Sequence, residues 1–349
     1  MRALVLRGPG VAELEDVPEP ELGAGEALLK VRRVGLCGSD LNTYRGRNPM
    51  VSYPRIPGHE IAATIAMLSG EHPALRVGMD VTLSPYSNCG RCAACRNARP
   101  NACRENQTLG VQRDGALTEY IAVPVEKLYP AKLNLTELCL VEPLTVGFHA
   151  VARGRVTARD TVAVIGCGGV GLGAVAAAAF QGARTIAVDI DDDKLAIARA
   201  AGAAEVVDSR RQSMADALAE LTGGAGPDVV IEAIGMPETF RAAVDAVAFT
   251  GRVVYIGYAK EPVSYETKLF VQKELDIRGT RNALPEDFAQ VIAMLEQKRF
   301  PVEGAVSLTV SLEEAAEALR AWSEEPGRFR KIMIDMDRRG VARAPDRVA

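Results

Sequence analysis

Short apolar runs, and the residues that break them, divide this chain into two regimes. Over the first 130 residues the runs Ala27 to Val31, Ile61 to Met67, Val77 to Leu83 and Tyr120 to Val123 are separated by Gly, Pro, Asn and Asp. That spacing predicts an antiparallel barrel or sandwich with little helix. The pattern changes near Arg153. Thr161 to Ile165 is an apolar run followed by glycines and then by Leu172 to Gln181, a strong helix former. Thr185 to Val188 reads as the next strand and Lys194 to Ala201 as the next helix. Val206 and Val207, Asp228 to Ile231, Arg252 to Ile256 and Leu275 to Arg278 continue as strands. Strands alternating with helices predict a parallel sheet with crossovers, and about six strands match a doubly wound dinucleotide fold.

Pro285 then starts a helix to Lys298, and Leu308 to Val310 reads as a strand. Ser311 with Glu314 reads as a capping box for a helix over Leu312 to Trp322. Arg330 to Met336 alternates as a strand, and the last dozen residues, rich in Arg, Asp and Pro, read as a loose tail.

Composition narrows the function classes. A length of 349 residues implies about two domains. Hydrophobic residues at 48% and charged residues at 25% describe a folded protein, not a disordered one. Acidic residues (45) exceed basic ones (41), and aromatics are only 5%, which argues against a nucleic-acid surface. No run reads as long and apolar enough to span a bilayer, and the N-terminus has no signal-peptide core. A cytoplasmic protein with no membrane partner is expected. Four of the seven cysteines crowd into Cys89 to Cys103, which in such a protein points to metal more than to disulfides.

Four groups of residues carry chemistry. The first is Cys89, Cys92, Cys95 and Cys103. Zinc takes four tetrahedral ligands, and four thiolates close its sphere, so this site is structural. A redox pair, free thiols or a nucleic-acid zinc ribbon are the alternatives. The second is Gly35-Leu36-Cys37-Gly38-Ser39-Asp40, with Gly58-His59-Glu60 and Glu142-Pro143 downstream. Cysteine, histidine and a carboxylate make a zinc set that leaves room for a substrate. A single histidine such as His59 more often fills a core position, so residues alone leave this site open.

The third group is Gly166-Cys167-Gly168-Gly169-Val170-Gly171, between a strand and a helix. Its glycines allow a tight turn and a close backbone approach to a pyrophosphate at a helix N-terminus. Asp189 ends the next strand, where a carboxylate accepts both ribose hydroxyls of NAD and repels the 2′-phosphate of NADP. Asp191, Asp192 and Asp193 add repulsion, and Lys194 is placed to cover the ribose or adenine edge. The fourth group is Tyr44, Arg45, Arg47, Arg281 and Asn282. An arginine among them facing the cleft pairs with a substrate carboxylate, whereas a surface arginine does not.

Taken together, these residues resemble the zinc-dependent medium-chain dehydrogenase family, in its sorbitol, threonine and sugar-acid dehydrogenase branch. The resemblance runs over essentially the whole chain and keeps the family's motif order. Tyr44-Arg-Gly-Arg-Asn-Pro, with Tyr53-Pro54 and Gly58-His59-Glu60, is most similar to L-galactonate and L-gulonate 5-dehydrogenase-like members.

The resemblance implies an α/β plus β fold. A GroES-like β-barrel catalytic domain would span 1–150, with a structural zinc lobe at 88–104. A Rossmann doubly wound parallel-sheet domain that binds NAD would span 151–284, and 285–349 would return to the catalytic domain. It implies two zinc ions per chain. Cys37 and His59 bind the catalytic one, with Glu60 or Glu142 as the carboxylate. Asp40 orients His59, and Ser39 takes the substrate proton.

Two positions depart from the family pattern. Asn42 stands where polyol relatives often carry a proton-relaying histidine, and Ala63 replaces a usual glycine. The expected reaction is hydride transfer between NAD and a secondary alcohol of a sugar acid or polyol, in a cleft between domains. Polyol (sorbitol-like) or threonine dehydrogenase is the alternative within enzymes, and a non-catalytic NAD-binding sensor is the alternative outside them. A homodimer or homotetramer is expected.

Overall fold

The computed structural model describes residues 1–338. The loose tail expected at the C-terminus lies outside the described residues. The chain forms two compact units. One comprises Met1–Ser87, Asn106–Glu142 and the described chain from Val306 onward, and the other Asn88–Glu105 and Pro143–Ala305.

In the first unit a seven-stranded sheet is built around the long strand Glu26–Leu36. That strand pairs antiparallel with Glu60–Leu68, with Tyr120–Pro124 and with Ile332–Asp335. Asp80–Leu83, Leu128–Pro130 and Leu308–Ser311 complete the sheet. Inward positions such as Leu29, Val31, Val34, Ile61 and Ile65 are buried, and the partly polar alternation faces outward, as antiparallel pleating requires. An N-terminal hairpin, Arg2–Gly8 with Val11–Asp16, was not evident in the sequence pattern. Two turns of helix at Gly38–Tyr44 interrupt the β-rich region and carry part of the site.

In the second unit six strands are all parallel. Their order is Glu205–Asp208, Arg184–Asp189, Thr161–Ile165, Val229–Glu232, Arg252–Tyr255, Asp276–Gly279. Numbered along the chain this is 3-2-1-4-5-6, the order of a dinucleotide-binding sheet, whose ligand lies at the carboxyl ends where the order reverses. Val162 to Ile165 are buried because both faces are covered, and such strands read as unbroken apolar runs.

The alanine-rich stretch in helix Gly169–Phe180 also has a packing reason. A Cβ on Gly147 would lie 2.2 Å from the backbone nitrogen of Ala174, so helices Leu135–Arg153 and Gly169–Phe180 meet backbone to backbone.

The structure corrects several boundaries. The lobe Asn88–Glu105 clusters with the parallel-sheet unit, and that unit runs on to Ala305 instead of ending at 284. The reason is helix Pro285–Glu296, whose Phe288, Val291, Met294 and Leu295 are buried. The boundary near 150 moves into helix Leu135–Arg153, which divides between Glu142 and Pro143. That helix is long and apolar enough to cross a membrane by length and composition, which the sequence reading did not find, but 78% of its apolar window is buried in the fold. The capping box at Ser311 forms by half. Glu314 accepts from the Ser311 backbone N–H at 2.9 Å, the Ser311 hydroxyl has no partner, and the helix starts later, at Ala315–Glu324.

Candidate metal centres and coenzyme site

Cys37 follows strand Glu26–Leu36 and adopts extended backbone before helix Gly38–Tyr44. Asp40, on the first turn of that helix, is buried and accepts from two backbone amides. One is Cys37 N at 2.9 Å and the other Gly58 N at 3.2 Å. One carboxylate therefore pins the turn that carries Cys37 to the turn that carries His59. Its own distance to His59 Nδ1 is 3.9 Å, beyond hydrogen-bond reach.

The ligand atoms of Cys37, His59 and Glu60 all lie within 4.8 Å of one another. His59 and Glu60 are buried, and Cys37 is half-buried. Glu60 fits only because residue 35 is glycine: a Cβ there would stand 2.0 Å from Glu60 Oε2. Lys331, buried on the strand-forming return segment, donates to Glu60 Oε1 and Oε2 at 2.5 and 2.6 Å and to the Leu36 carbonyl at 3.2 Å. Glu142 does not join the set of three; the Tyr86 hydroxyl donates to its Oε1.

Two buried polar atoms in this group lack hydrogen-bond partners, Ser39 Oγ and His59 Nδ1. Burial lowers the His59 pKa, but Asp40 and Cys37 outweigh it and hold the imidazole well above its ordinary value. Burial likewise raises the carboxyls of Asp40 and Glu142. A crowd of anionic donors around one histidine, with orphaned polar atoms, is a donor set fit for a divalent cation.

The second cluster fits zinc by distance alone. Sulfur–sulfur separations are 3.5 Å for Cys92–Cys95, 3.8 Å for Cys92–Cys103 and 3.6 Å for Cys89–Cys103. Four thiolates at about 2.3 Å from zinc in a tetrahedron stand about 3.8 Å apart. A disulfide needs about 2.05 Å, so none of these pairs is joined as a disulfide. Backbone amides of Cys95 and Arg104 push the Cys92 thiol down to about 6, which favours the thiolate that metal binding requires.

The glycine loop is built as the strand–turn–helix context demands. Gly166 has φ +93°, and a Cβ on Gly171 would lie 1.8 Å from the Gly166 carbonyl oxygen. Around Gly168 and Gly169 a Cβ would meet open space. The helix starts at Gly169, earlier than the Leu172 expected, so the last glycines form its first turn. Its N-cap is Gly168 and has no side-chain cap, so the first amides are left for an anion.

Asp189 ends its strand, and its Oδ2 accepts from Cys167 N at 2.7 Å while Oδ1 accepts from Ile190 N at 2.7 Å. It therefore holds the glycine loop, a role that the sequence reading did not assign to it. Lys194 stands 4.0 Å from Asp191. The sequence reading found no arginine directly after Asp189, but Arg210 and Arg211 arrive from the loop after the next strand. They are spent on Asp192 (3.4 and 2.6 Å) and Asp208 (3.1 and 2.9 Å).

The proposed substrate residues fare differently. Tyr44 is packed in the core of the first unit. Arg45 is committed to Ser323, whose hydroxyl it reaches at 3.0 Å and whose carbonyl it also bonds, so its charge is not offered to a ligand. Arg281 lies in the coenzyme unit, half-buried, and its carbonyl accepts from Asn101 at 2.8 Å. Lys331 and Tyr86 are site residues that the sequence reading missed. Neither lies in a ligand motif, and only Tyr86, three positions before Cys89, is near one.

Comparison with known proteins agrees with this geometry. Residues 23–133 match the alcohol dehydrogenase GroES-like domain, and residues 169–297 match the zinc-binding dehydrogenase domain. L-galactonate-5-dehydrogenase of Escherichia coli K12 is 32% identical, covering 87% of this chain and 89% of its own. Sorbitol dehydrogenase of Bacillus subtilis is 32% identical, covering 96% and 97%. An Escherichia coli CFT073 alcohol dehydrogenase solved with NADH superimposes with a TM-score of 0.89 at 28% identity, covering 96% and 99%. Both sequence relatives span nearly their full lengths, so the likeness extends beyond a shared nucleotide-binding half. The chain belongs to the zinc-dependent medium-chain alcohol dehydrogenase family, and is an enzyme that acts on a small-molecule alcohol or polyol with zinc and NAD.

Proposed function

We propose that this dehydrogenase oxidises a secondary alcohol of a sugar acid or polyol, in the manner of an L-galactonate or L-gulonate 5-dehydrogenase. The observation that carries the reading is the grouping of Cys37, His59 and Glu60 beside a buried, partnerless Ser39 hydroxyl. In this reading Cys37, His59 and Glu60 hold the catalytic zinc, and Glu142 stands next to them. Cys89, Cys92, Cys95 and Cys103 hold the structural zinc. Bound zinc supplies a Lewis acid that lowers the pKa of an alcohol, and bound NAD takes up the hydride.

The chain's own residues do the rest. Ser39 Oγ receives the alcohol proton, and Asp40 keeps the Cys37 and His59 turns in register. Asn42 does not titrate, so the proton leaves Ser39 by another route. The glycine loop and the amides from Gly168 onward hold the pyrophosphate. Asp189 and Lys194 hold the adenosine ribose. Arg281, whose guanidinium has no partner among the described residues, is the cation assigned to a substrate carboxylate. The likeness to L-galactonate-5-dehydrogenase supports the sugar-acid choice, and sorbitol dehydrogenase supports the polyol alternative. Assembly as a homodimer or homotetramer and a cytoplasmic location belong to the same reading; light scattering checks the first.

An NAD-reduction screen over aldonates, polyols, 2-hydroxy acids and threonine tests the substrate. Turnover of aldonates but not neutral polyols is expected, and the reverse establishes the sorbitol-like alternative. Cys37→Ala is expected to abolish turnover and leave NADH binding intact. Persistent turnover in that variant overturns the metal-centred reading.

A further inference from the structure

Glu60 and Glu142 are both buried among the charged groups of the catalytic centre, yet they are held by different partners. Lys331 grips Glu60 by both oxygens, and Glu60 still belongs to the compact set with Cys37 and His59. Glu142 is close enough to feel His59, Glu60 and Lys331 electrostatically, but it stays outside that set. Its Oε1 takes the hydroxyl of Tyr86.

Tyr86 is itself buried, and Cys37, Glu60 and Glu142 all act on its phenol. It lies in a two-residue strand, Tyr86–Ser87, paired with Gln107–Thr108, which holds its backbone. Glu142 comes from helix Leu135–Arg153. The short strand and the helix thus meet through a hydroxyl–carboxylate bond next to the ligand set.

We propose that Tyr86 is a positioning residue that restrains Glu142, keeping this second carboxylate beside the catalytic metal and out of its ligand set. The inference rests on the reading of Cys37, His59 and Glu60 as the metal-holding group. The physical reason is competition. A buried carboxylate that loses a hydroxyl donor is drawn more strongly to a nearby cation, and a zinc ion outranks any side chain nearby. A fourth protein ligand would occupy the position that an alcohol must take, since a catalytic site keeps one place open. The tyrosine hydroxyl satisfies the carboxylate without neutralising it and so leaves that place free.

Tyr86→Phe tests this, with the cobalt-substituted enzyme as the probe. Expected are two metals per chain, NADH binding as in the parent, and an altered visible ligand-field spectrum of the catalytic cobalt. Removal of that metal by a chelator becomes slower, and kcat falls by roughly 10–100-fold, the usual weight of a residue that supports a metal ligand. Loss of support alone would speed metal release, so the direction of that change separates restraint from scaffolding. Tyr86→Phe combined with Glu142→Gln is expected to return metal release to the parent rate, because the released carboxylate is gone. An unchanged spectrum together with unchanged or faster metal release in Tyr86→Phe overturns the proposal. A parent enzyme with one metal per chain, or with its second metal retained in Cys37→Ala, overturns the underlying site reading instead. Should Tyr86→Phe fail to fold, Tyr86→Leu, which fits the same buried space and brings no donor, carries the same two readouts.

Discussion

Asp189 shows how much one side chain does here. Its two oxygens already accept from Cys167 and Ile190, so the carboxylate proposed to take the ribose hydroxyls also ties down the glycine loop. Nearby, hydrogen bonds from Arg210 hold the Asp208 carboxyl below the usual carboxylate range. Arg210 and Arg211 are therefore already paired with carboxylates that compete with a 2′-phosphate for them. Asp189→Ser is expected to weaken NADH binding by about tenfold or more, the worth of a hydrogen bond to a charged group at roughly 1.5–3 kcal/mol. It is not expected to bring tight NADPH binding. Fluorescence titration with both coenzymes checks this, and strong NADPH binding in the variant would show that the two arginines are free.

At the scale of elements, the strand Thr161–Ile165 is launched by a turn whose chemistry centres on Asp160. Thr157 donates to it through its backbone N–H at 2.6 Å and its hydroxyl at 2.9 Å, and Arg252 pairs with the other oxygen. Burial pushes the Asp160 carboxyl up, but these donors win and hold it below its ordinary value. A depressed carboxylate stabilises the fold above its unfolded pKa of about 3.9, and that contribution is lost as pH falls through the folded value. Asp160→Asn is expected to cost about 1–3 kcal/mol at neutral pH. It should also shrink the loss of stability on acidification below about pH 4. Urea titrations at neutral and acid pH check both, and equal acid sensitivity in parent and variant would refute the assignment.

The same strand was legible in the sequence to the residue, because a strand covered on both faces is an unbroken apolar run. Helix Leu135–Arg153 was not legible. It is covered on most sides, which blurs helical periodicity, and it contains Pro143, a residue that ordinarily argues against a helix interior.

For the whole molecule, the cysteine lobe has a neighbour that the sequence did not reveal. Asn101 donates to the Arg281 carbonyl at 2.8 Å and lies 2.9 Å from His149 Nε2, while His149 Nδ1 meets Asp287 at 2.9 Å. The Arg281 carbonyl accepts only, so Asn101 presents its amide nitrogen on this side and His149 Nε2 acts as the acceptor. The lobe is thereby fastened to the rest of the parallel-sheet unit by side chains. Cys103→Ser is expected to release one zinc per chain and to loosen the lobe so that trypsin cuts faster after the already exposed Arg91 and Arg96, while NADH binding persists. Metal analysis and limited proteolysis check it, and full zinc retention with an intact lobe would contradict a four-sulfur structural site.

What the sequence by itself determined is whatever local spacing encodes. That covers the four-sulfur spacing, the strand–glycine–helix context of the coenzyme loop and the acidic end of the second strand, whereas the pairing of Cys37 with His59 came only from the family resemblance. Each of those three rests on a few neighbouring residues or on periodic burial, and none needs knowledge of distant chain. The tertiary structure alone decided which charges face each other. Lys331 reaches Glu60 across 271 positions, Tyr86 reaches Glu142 across 56, and Arg45 is drawn away to Ser323 across 278. Buried charges are stable only with partners, and those partners are chosen by folding in space, where sequence separation carries no information.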